Sequence, residues 1–229
     1  MKILKKSIIG CLLLAGMTMS SCDFLDVVPE ENATGEDMTK DRQAALNYLY
    51  SCYGYLPQPN NGTSSLDLLT GDEVVTAFEH ETFAAFPKGN YTASSPVISY
   101  WNTLYQGIRQ CLSLEEELNK GGNFSGLEDK DRVDYKAQVK FLLGYYDFLL
   151  TRCYGPIILV TTKPDAKTNP ENYLPRTSYD VCVDSIVNYF DQAAKGLPAT
   201  RTGTQSSEFG LDTSVAAKAM KAKTLLYAA

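Results

Sequence analysis

Apolar residues recur along this chain at helical spacing, in stretches separated by long segments rich in turn-forming residues. Ala45, Leu49, Cys52, Tyr53 and Leu56 predict a first helix over Asp41–Leu56, stopped by Pro57. Trp101, Leu104, Tyr105, Ile108, Cys111 and Leu112 form the stripe of a second over Pro96–Asn119, ended by Gly121 and Gly122. Val133, Ala137, Phe141, Tyr145, Phe148, Leu149 and Arg152 mark a third over Leu127–Tyr154, ended by Gly155 and Pro156. Gly144 lies inside it and costs about 1 kcal/mol against Ala, so another helix is expected to approach closely there. A fourth helix covers Ser178–Gly196, with Thr177 and Asp180 in a capping-box relation and Gly196-Leu197-Pro198 at its end. A fifth starts after Asp212, the expected N-cap, and runs through Ala216, Ala217, Ala219 and Ala222 to Ala229 without a stop signal.

The connections are long. Residues 57–96 read as irregular, and a loop of that length in a compact protein is usually functional. Pro156–Thr162 reads as an extended apolar piece. Small residues alternate with large ones, as in Ala137-x3-Phe141 and Gly144-Tyr145, in the manner of tetratricopeptide repeats. No clean period of about 34 residues is present. The fold class expected is mostly α: a tetratricopeptide-like helical bundle with long irregular loops, truncated at its C-terminus.

The N-terminus has another pattern. Lys2, Lys5 and Lys6 precede an apolar run from Ile8 to Ala15, and small Ser20 and Ser21 stand before Cys22. That order describes an export signal over residues 1–21. The run is well short of the roughly 20 residues that span a bilayer. A signal ending in small residues directly before cysteine looks like the bacterial lipoprotein type, in which the thiol is acylated. Cys11 fits the local pattern but leaves too little apolar core before it, so Cys22 is the expected lipidation site. Several acyl chains on one residue would anchor the protein stably, where one would not. The plainer alternative is a secreted protein cut near Ser21. Residues 22–40, with Pro29, Glu30, Glu31 and Gly35, read as a tether, and 41–229 as one helical domain.

Charge excludes one class of partner. The chain carries 27 Asp and Glu against 21 Lys and Arg, and the leader takes three of those lysines with it. Nucleic-acid binding rests on phosphate neutralisation, so no nucleic-acid partner is expected. Cys52, Cys111, Cys153 and Cys182 form no close pair and lie within helical patterns, which predicts buried thiols over disulfides. With a single histidine, His80, no metal site or cofactor is expected. Glu115-Glu116-Glu117 resembles a carboxylate cluster, but consecutive helical residues point in different directions, so a solvated face is expected. No phosphate loop or nucleophile elbow is present, and no catalytic residue is assigned. Trp101, the sole tryptophan, could serve as a sugar platform, but its place on the apolar stripe favours core packing.

Several stretches together resemble the SusD/RagB family of Bacteroidetes outer-membrane nutrient-binding lipoproteins. They are Cys22 followed by Phe24-Leu25-Asp26-Val27-Val28-Pro29, then Tyr100 to Ile108 (YWNTLYQGI), then Phe141-Leu142-x-x-Tyr145-Tyr146-x-Phe148-Leu149. Tyr154 to Val160 (YGPIILV), Pro175 to Asp180 (PRTSYD) and the alanine-rich Ala217–Ala229 complete the set, in family order. The resemblance implies a surface lipoprotein, anchored in the outer membrane, seated on a SusC-type TonB-dependent transporter. It would capture oligosaccharides, or peptides as in some members, and pass them on without catalysis. Members are longer than this chain, which stops where their N-terminal half stops, so the domain is expected to be incomplete. In the starch-binding branch, the segment after a similar Asp-Glu pair contacts ligand. That points to Asp72 and Glu73, then to Phe78 as an aromatic platform with Glu79, His80 and Glu81 as hydroxyl partners, and Phe86 and Tyr91 beyond. The segment lacks tryptophan, which departs from starch specificity, and its aromatics could equally pin the loop to the helices. Besides peptide binding, a tetratricopeptide-type scaffold and a surface glycosidase stay open as alternatives.

Overall fold

The computed structural model describes residues 37–57, 86–97, 99–163, 174–201 and 209–229. Among these are five α-helices and no strand: α1 (Arg42–Tyr53), α2 (Trp101–Asn119), α3 (Asp129–Tyr154), α4 (Tyr179–Gly196) and α5 (Ser214–Ala228). Each packs on the next, and α3 also reaches α1 and α5. Such nearest-neighbour stacking is the hallmark of helical-repeat architecture. The five predicted helices are therefore all present, with ends that differ for identifiable reasons.

Helix α1 begins where Asp41 accepts a hydrogen bond from the Ala44 N–H at 2.9 Å. It ends at Gly54, three residues before the expected proline stop. Ala45, Leu49 and Cys52 are fully buried, as the stripe predicts. Helix α2 starts at Trp101 rather than Pro96, because its first donors find a partner elsewhere. The Tyr154 hydroxyl accepts from the Tyr100 and Trp101 N–H groups at 2.9 and 3.2 Å. A side chain from the end of α3 thus does what an N-cap residue usually does.

The loop between α2 and α3 clasps the segment before α1. Phe124, buried and held at φ 60°, donates its N–H to Thr39 O at 2.7 Å, and Ser125 donates to Lys40 O at 3.1 Å. Arg132 secures the loop with bonds to Leu118 O and Asn123 O at 2.8 and 3.0 Å.

Helix α3 is the central element and corrects the single-stripe reading. Tyr135, Val139, Leu142, Tyr146 and Leu150 are buried on one side, and Ala137, Phe141, Gly144 and Phe148 on another. Four helices pack around it, so most of its circumference is core. Val133, expected in the stripe, is exposed: it lies near the start of α3, where the Gly196 end of α4 comes close. The close approach expected at Gly144 is present: a Cβ there would stand 3.1 Å from Tyr189 Cβ and 3.2 Å from Phe190 Cε1. Gly107 on α2 has the same role, unforeseen, against Tyr146 and Tyr55.

The capping box foreseen before α4 does not form. Ser178 is the N-cap without a side-chain bond, and Thr177 instead donates its N–H to Ile157 O at 2.7 Å. That bond ties the α4 entry to the segment after α3, where Ile157, Ile158 and Val160 are buried. The Tyr105 hydroxyl accepts from Ile158 N–H at 3.0 Å and donates to its carbonyl at 2.9 Å, standing in for a strand partner. Helix α5 is capped by Thr213, not Asp212. Its Oγ1 accepts from Ala216 N–H at 3.2 Å, and Lys221 bonds Asp191 of α4 at 2.7 and 2.8 Å.

Candidate functional site

The residues expected to carry ligand contact, Asp72, Glu73, Phe78, Glu79, His80 and Glu81, lie outside the described residues, as do the leader and Cys22. The described part of that loop is residues 86–97, and it contains the two aromatics that follow the candidates. Phe86 and Tyr91 stack with ring centroids 4.9 Å apart and planes 10° from parallel. Tyr91 is 46% exposed and Phe86 is partly buried. Thr92 and Ser95 exchange backbone hydrogen bonds of 3.1 Å and close a turn directly after the pair. A stacked aromatic pair that is partly exposed offers surface against which an apolar ring face can lie.

The turn leads into α2 and its aromatic cluster. Trp101 meets Tyr105 and Tyr154 edge-on, at centroid distances of 5.0 and 5.2 Å. The Arg176 guanidinium lies over the indole at 4.9 Å. Arg176 also donates to the carbonyls of Tyr154 and Pro156 at 3.1 and 2.9 Å, which fixes it in place. The indole face under the guanidinium is therefore occupied, and the cluster locks the start of α2 to the end of α3. This bears out the packing role for Trp101.

The glutamate run is engaged by three lysines. Glu115 pairs with Lys140 at 2.6 Å, Glu116 with Lys120 and Lys163 at 3.0 and 3.5 Å, and Glu117 with Lys120 at 2.7 Å. Glu115 and Glu117 are more enclosed than a solvated face implies, at 21% and 16% side-chain exposure. Glu115 faces Lys140 while Glu116 and Glu117 share Lys120, so all three are engaged in ion pairs and do not form a free carboxylate pair about a cleft. The Lys120 contact, then Lys163, holds the Glu116 carboxyl below its ordinary value. Among the described residues, no cluster of His, Cys, Asp or Glu could hold a metal. Cys52, Cys111 and Cys182 are buried thiols; Cys153 departs from expectation by lying exposed on the last turn of α3.

Among the described residues the most perturbed carboxyls are Asp147, which sequence reasoning did not single out, and Asp212, expected only as an N-cap. Asp147, fully buried on α3, is pushed up to about 8 by burial, and its Oδ1 has no partner among the described residues. Asp212, before α5, is pushed up to about 7, again chiefly by burial. The signal available was an acidic residue inside an otherwise apolar run, Tyr146-Asp147-Phe148-Leu149-Leu150.

A SusD-like family model described as "Starch-binding associating with outer membrane" matches residues 23–226. The chain belongs to the SusD-like family. Its fold agrees with solved SusD-like structures. A protein named BT4246 is 34% identical, with a TM-score of 0.71 over 82% of this chain and 31% of its own. A SusD-like protein, BF3747, from Bacteroides fragilis is 24% identical, with a TM-score of 0.70 over 86% of this chain and 36% of its own. Surface glycan-binding protein A from Bacteroides uniformis is 17% identical, with a TM-score of 0.66 over 81% of this chain and 42% of its own. The SusD-like chain described here thus spans about a third of the length of the first two. No match was found among the curated proteins. Among the described residues, no helix is long and apolar enough to cross a membrane.

Proposed function

We propose that this SusD-like protein is a surface lipoprotein that captures oligosaccharides and passes them to a SusC-type TonB-dependent transporter. The observation that carries the reading is the family match across residues 23–226, under a description that names starch binding and the outer membrane. The order of positive, apolar and small residues before Cys22 supports attachment of the mature chain by acyl groups at that cysteine, facing the cell exterior. Cys22→Ala is expected to abolish palmitate incorporation and release the protein to the soluble fraction. A mutant that is still acylated and membrane-bound would remove the anchor from the proposal.

The loop that contains Asp72, Glu73, Phe78, Glu79, His80 and Glu81 is the proposed contact region, and the Phe86–Tyr91 stack that follows these residues in sequence, with Tyr91 exposed, supports that choice. Sugars present an apolar C–H face to aromatic planes while their hydroxyls need a few placed polar groups. A screen of soluble glycans by isothermal titration calorimetry, with product analysis of the incubated sugars, tests the class. Retention without turnover is expected. Cleavage would favour a glycosidase, and peptide binding in place of glycan binding would favour the peptide-binding branch. For a glycan so found, Phe78→Ala is expected to weaken binding at unchanged melting temperature, and unchanged affinity would remove Phe78 from the site.

A further inference from the structure

We infer that Asp212 is a hydrogen-bond donor, and that its proton completes a clamp holding the start of α5 against α1 and α3. The clamp joins three parts of the fold. The Tyr53 hydroxyl, at the end of α1, stands 2.7 Å from Gln138 Oε1 of α3 and 2.7 Å from Asp212 Oδ2. Asp212 also donates its backbone N–H to the same hydroxyl oxygen at 3.2 Å. Gln138 Nε2 donates to Asp134 Oδ2 at 2.7 Å. Arg201, whose side chain is 9% exposed, grips both Asp134 oxygens at 2.8 and 3.2 Å and donates Nε–H to the Asp212 carbonyl at 2.8 Å.

Counting protons decides the donor. A phenol has one proton to give, and burial raises the Tyr53 hydroxyl far above its ordinary value, so that proton stays. Asp134 is an ion-paired carboxylate and only accepts, so the Gln138 amide must turn its NH2 toward Asp134 and its oxygen toward Tyr53. The amide oxygen then takes the Tyr53 proton. What remains is Asp212 Oδ2 at 2.7 Å from the same phenolic oxygen, where an ionised carboxylate would set lone pair against lone pair. Giving the Tyr53 proton to Asp212 moves the conflict to Gln138, and flipping Gln138 moves it to Asp134. Only a proton on Asp212 satisfies every short contact. The phenolic oxygen then accepts from Asp212 Oδ2–H and Asp212 N–H and donates to Gln138.

The groups that face Asp212 agree with a retained proton. Burial is the main force raising its carboxyl and Asp134 adds to it, while Arg201 opposes it; a Tyr53 hydroxyl that donated to the carboxylate would oppose it too, but with the phenol proton turned to Gln138 that opposition is absent. Its charge would also reach Cys111 of α2 and Tyr146 of α3, both buried and both raised. The folded value lies above the ordinary 3.8, so the clamp's contribution is full below 3.8 and is lost as pH rises toward about 7. What opens is the seat of α5, since Asp212 directly precedes its N-cap Thr213 and Ser214 donates to Pro198 O at 2.9 Å.

The test is carboxyl-carbon NMR of the full chain labelled at aspartate, with Asp212→Asn identifying the resonance. Asp212 is expected to titrate near neutrality, and Tyr53→Phe, which removes the acceptor of its proton, is expected to lower the midpoint. A wild-type midpoint in the ordinary carboxylate range overturns the clamp, as does a rise in Tyr53→Phe, which would mark Tyr53 as the donor. Amide exchange provides a second readout. Corrected for intrinsic rates, protection of the Ala217 N–H should fall by up to roughly a hundredfold from about pH 5 to about pH 8 in the wild type. It should stay level in Asp212→Asn, whose amide donates at every pH. Matching profiles in the two proteins would overturn the proposal.

Discussion

Helices α3 and α5 both scatter leucine, tyrosine and lysine around their circumference, and neither has a narrow apolar stripe, yet they come to opposite situations. Helix α3 is enclosed by α1, α2, α4 and α5, so apolar residues on nearly every side are buried, and among the described residues the Oδ1 of Asp147 in their midst has no hydrogen-bond partner. Among the described helices, α5 packs mainly on α4 and less on α3. It buries Ser214, Ala217 and Thr224 and leaves Val215, Leu225, Leu226 and Tyr227 in water. A helix that is apolar all round is a core helix when neighbours are present on all sides, and an exposed apolar surface when they are not.

The largest expected effect is on the α3–α4 contact. Phe190 is fully buried between Gly144 and Phe141, 5.5 Å from the latter ring. Phe190→Ala should cost about 3–5 kcal/mol in urea unfolding. A loss below about 1 kcal/mol would mean that α3 is not the core helix the structure makes it.

Asp147 tests the same enclosure through pH. Its folded value, about 8, exceeds the ordinary 3.8, so its contribution is full below 3.8 and is lost as pH rises to about 8. Stability should fall by up to ~1.4 kcal/mol per pH unit inside that window. Asp147→Asn should flatten the slope and stabilise the protein by on the order of 2–4 kcal/mol at neutral pH. An unchanged slope would show that water or another group reaches this carboxyl.

Gly144→Ala comes next. The added methyl would meet Tyr189 and Phe190 at 3.1 to 3.3 Å, and the overpacking should cost about 1–3 kcal/mol despite alanine's better helix propensity. A gain in melting temperature would mean that α4 can yield there. The smallest effect is expected on α5. Leu226 is 76% exposed, so Leu226→Glu should change stability by less than about 0.5 kcal/mol. A loss of ~2 kcal/mol or more would reveal a cover over that face in solution and erase the contrast with α3.

The helix positions were legible because 3.6-residue periodicity and the terminal Gly and Pro residues act locally. The close approach at Gly144 was legible too, since an interior glycine costs stability and needs a reason to be present. What escaped was set by residues distant in sequence. The Tyr154 hydroxyl takes over the α2 start from a residue 53 positions away. Tyr53 draws Asp212 away from the cap position that its sequence context promised, across 159 positions. The expected ligand residues lie outside the described segments, so of that loop the structure contributes the Phe86–Tyr91 stack.

The sequence by itself determined the helical class, the family, and the number and approximate span of the described helices, because periodicity and short motifs are properties of neighbours along the chain. Tertiary structure alone decided which sides of α3 and α5 are wet, that Trp101 is covered by Arg176, and that Asp147 and Asp212 are held near neutrality. Burial and proton sharing depend on what other helices bring to a residue, and no local pattern of residues encodes that.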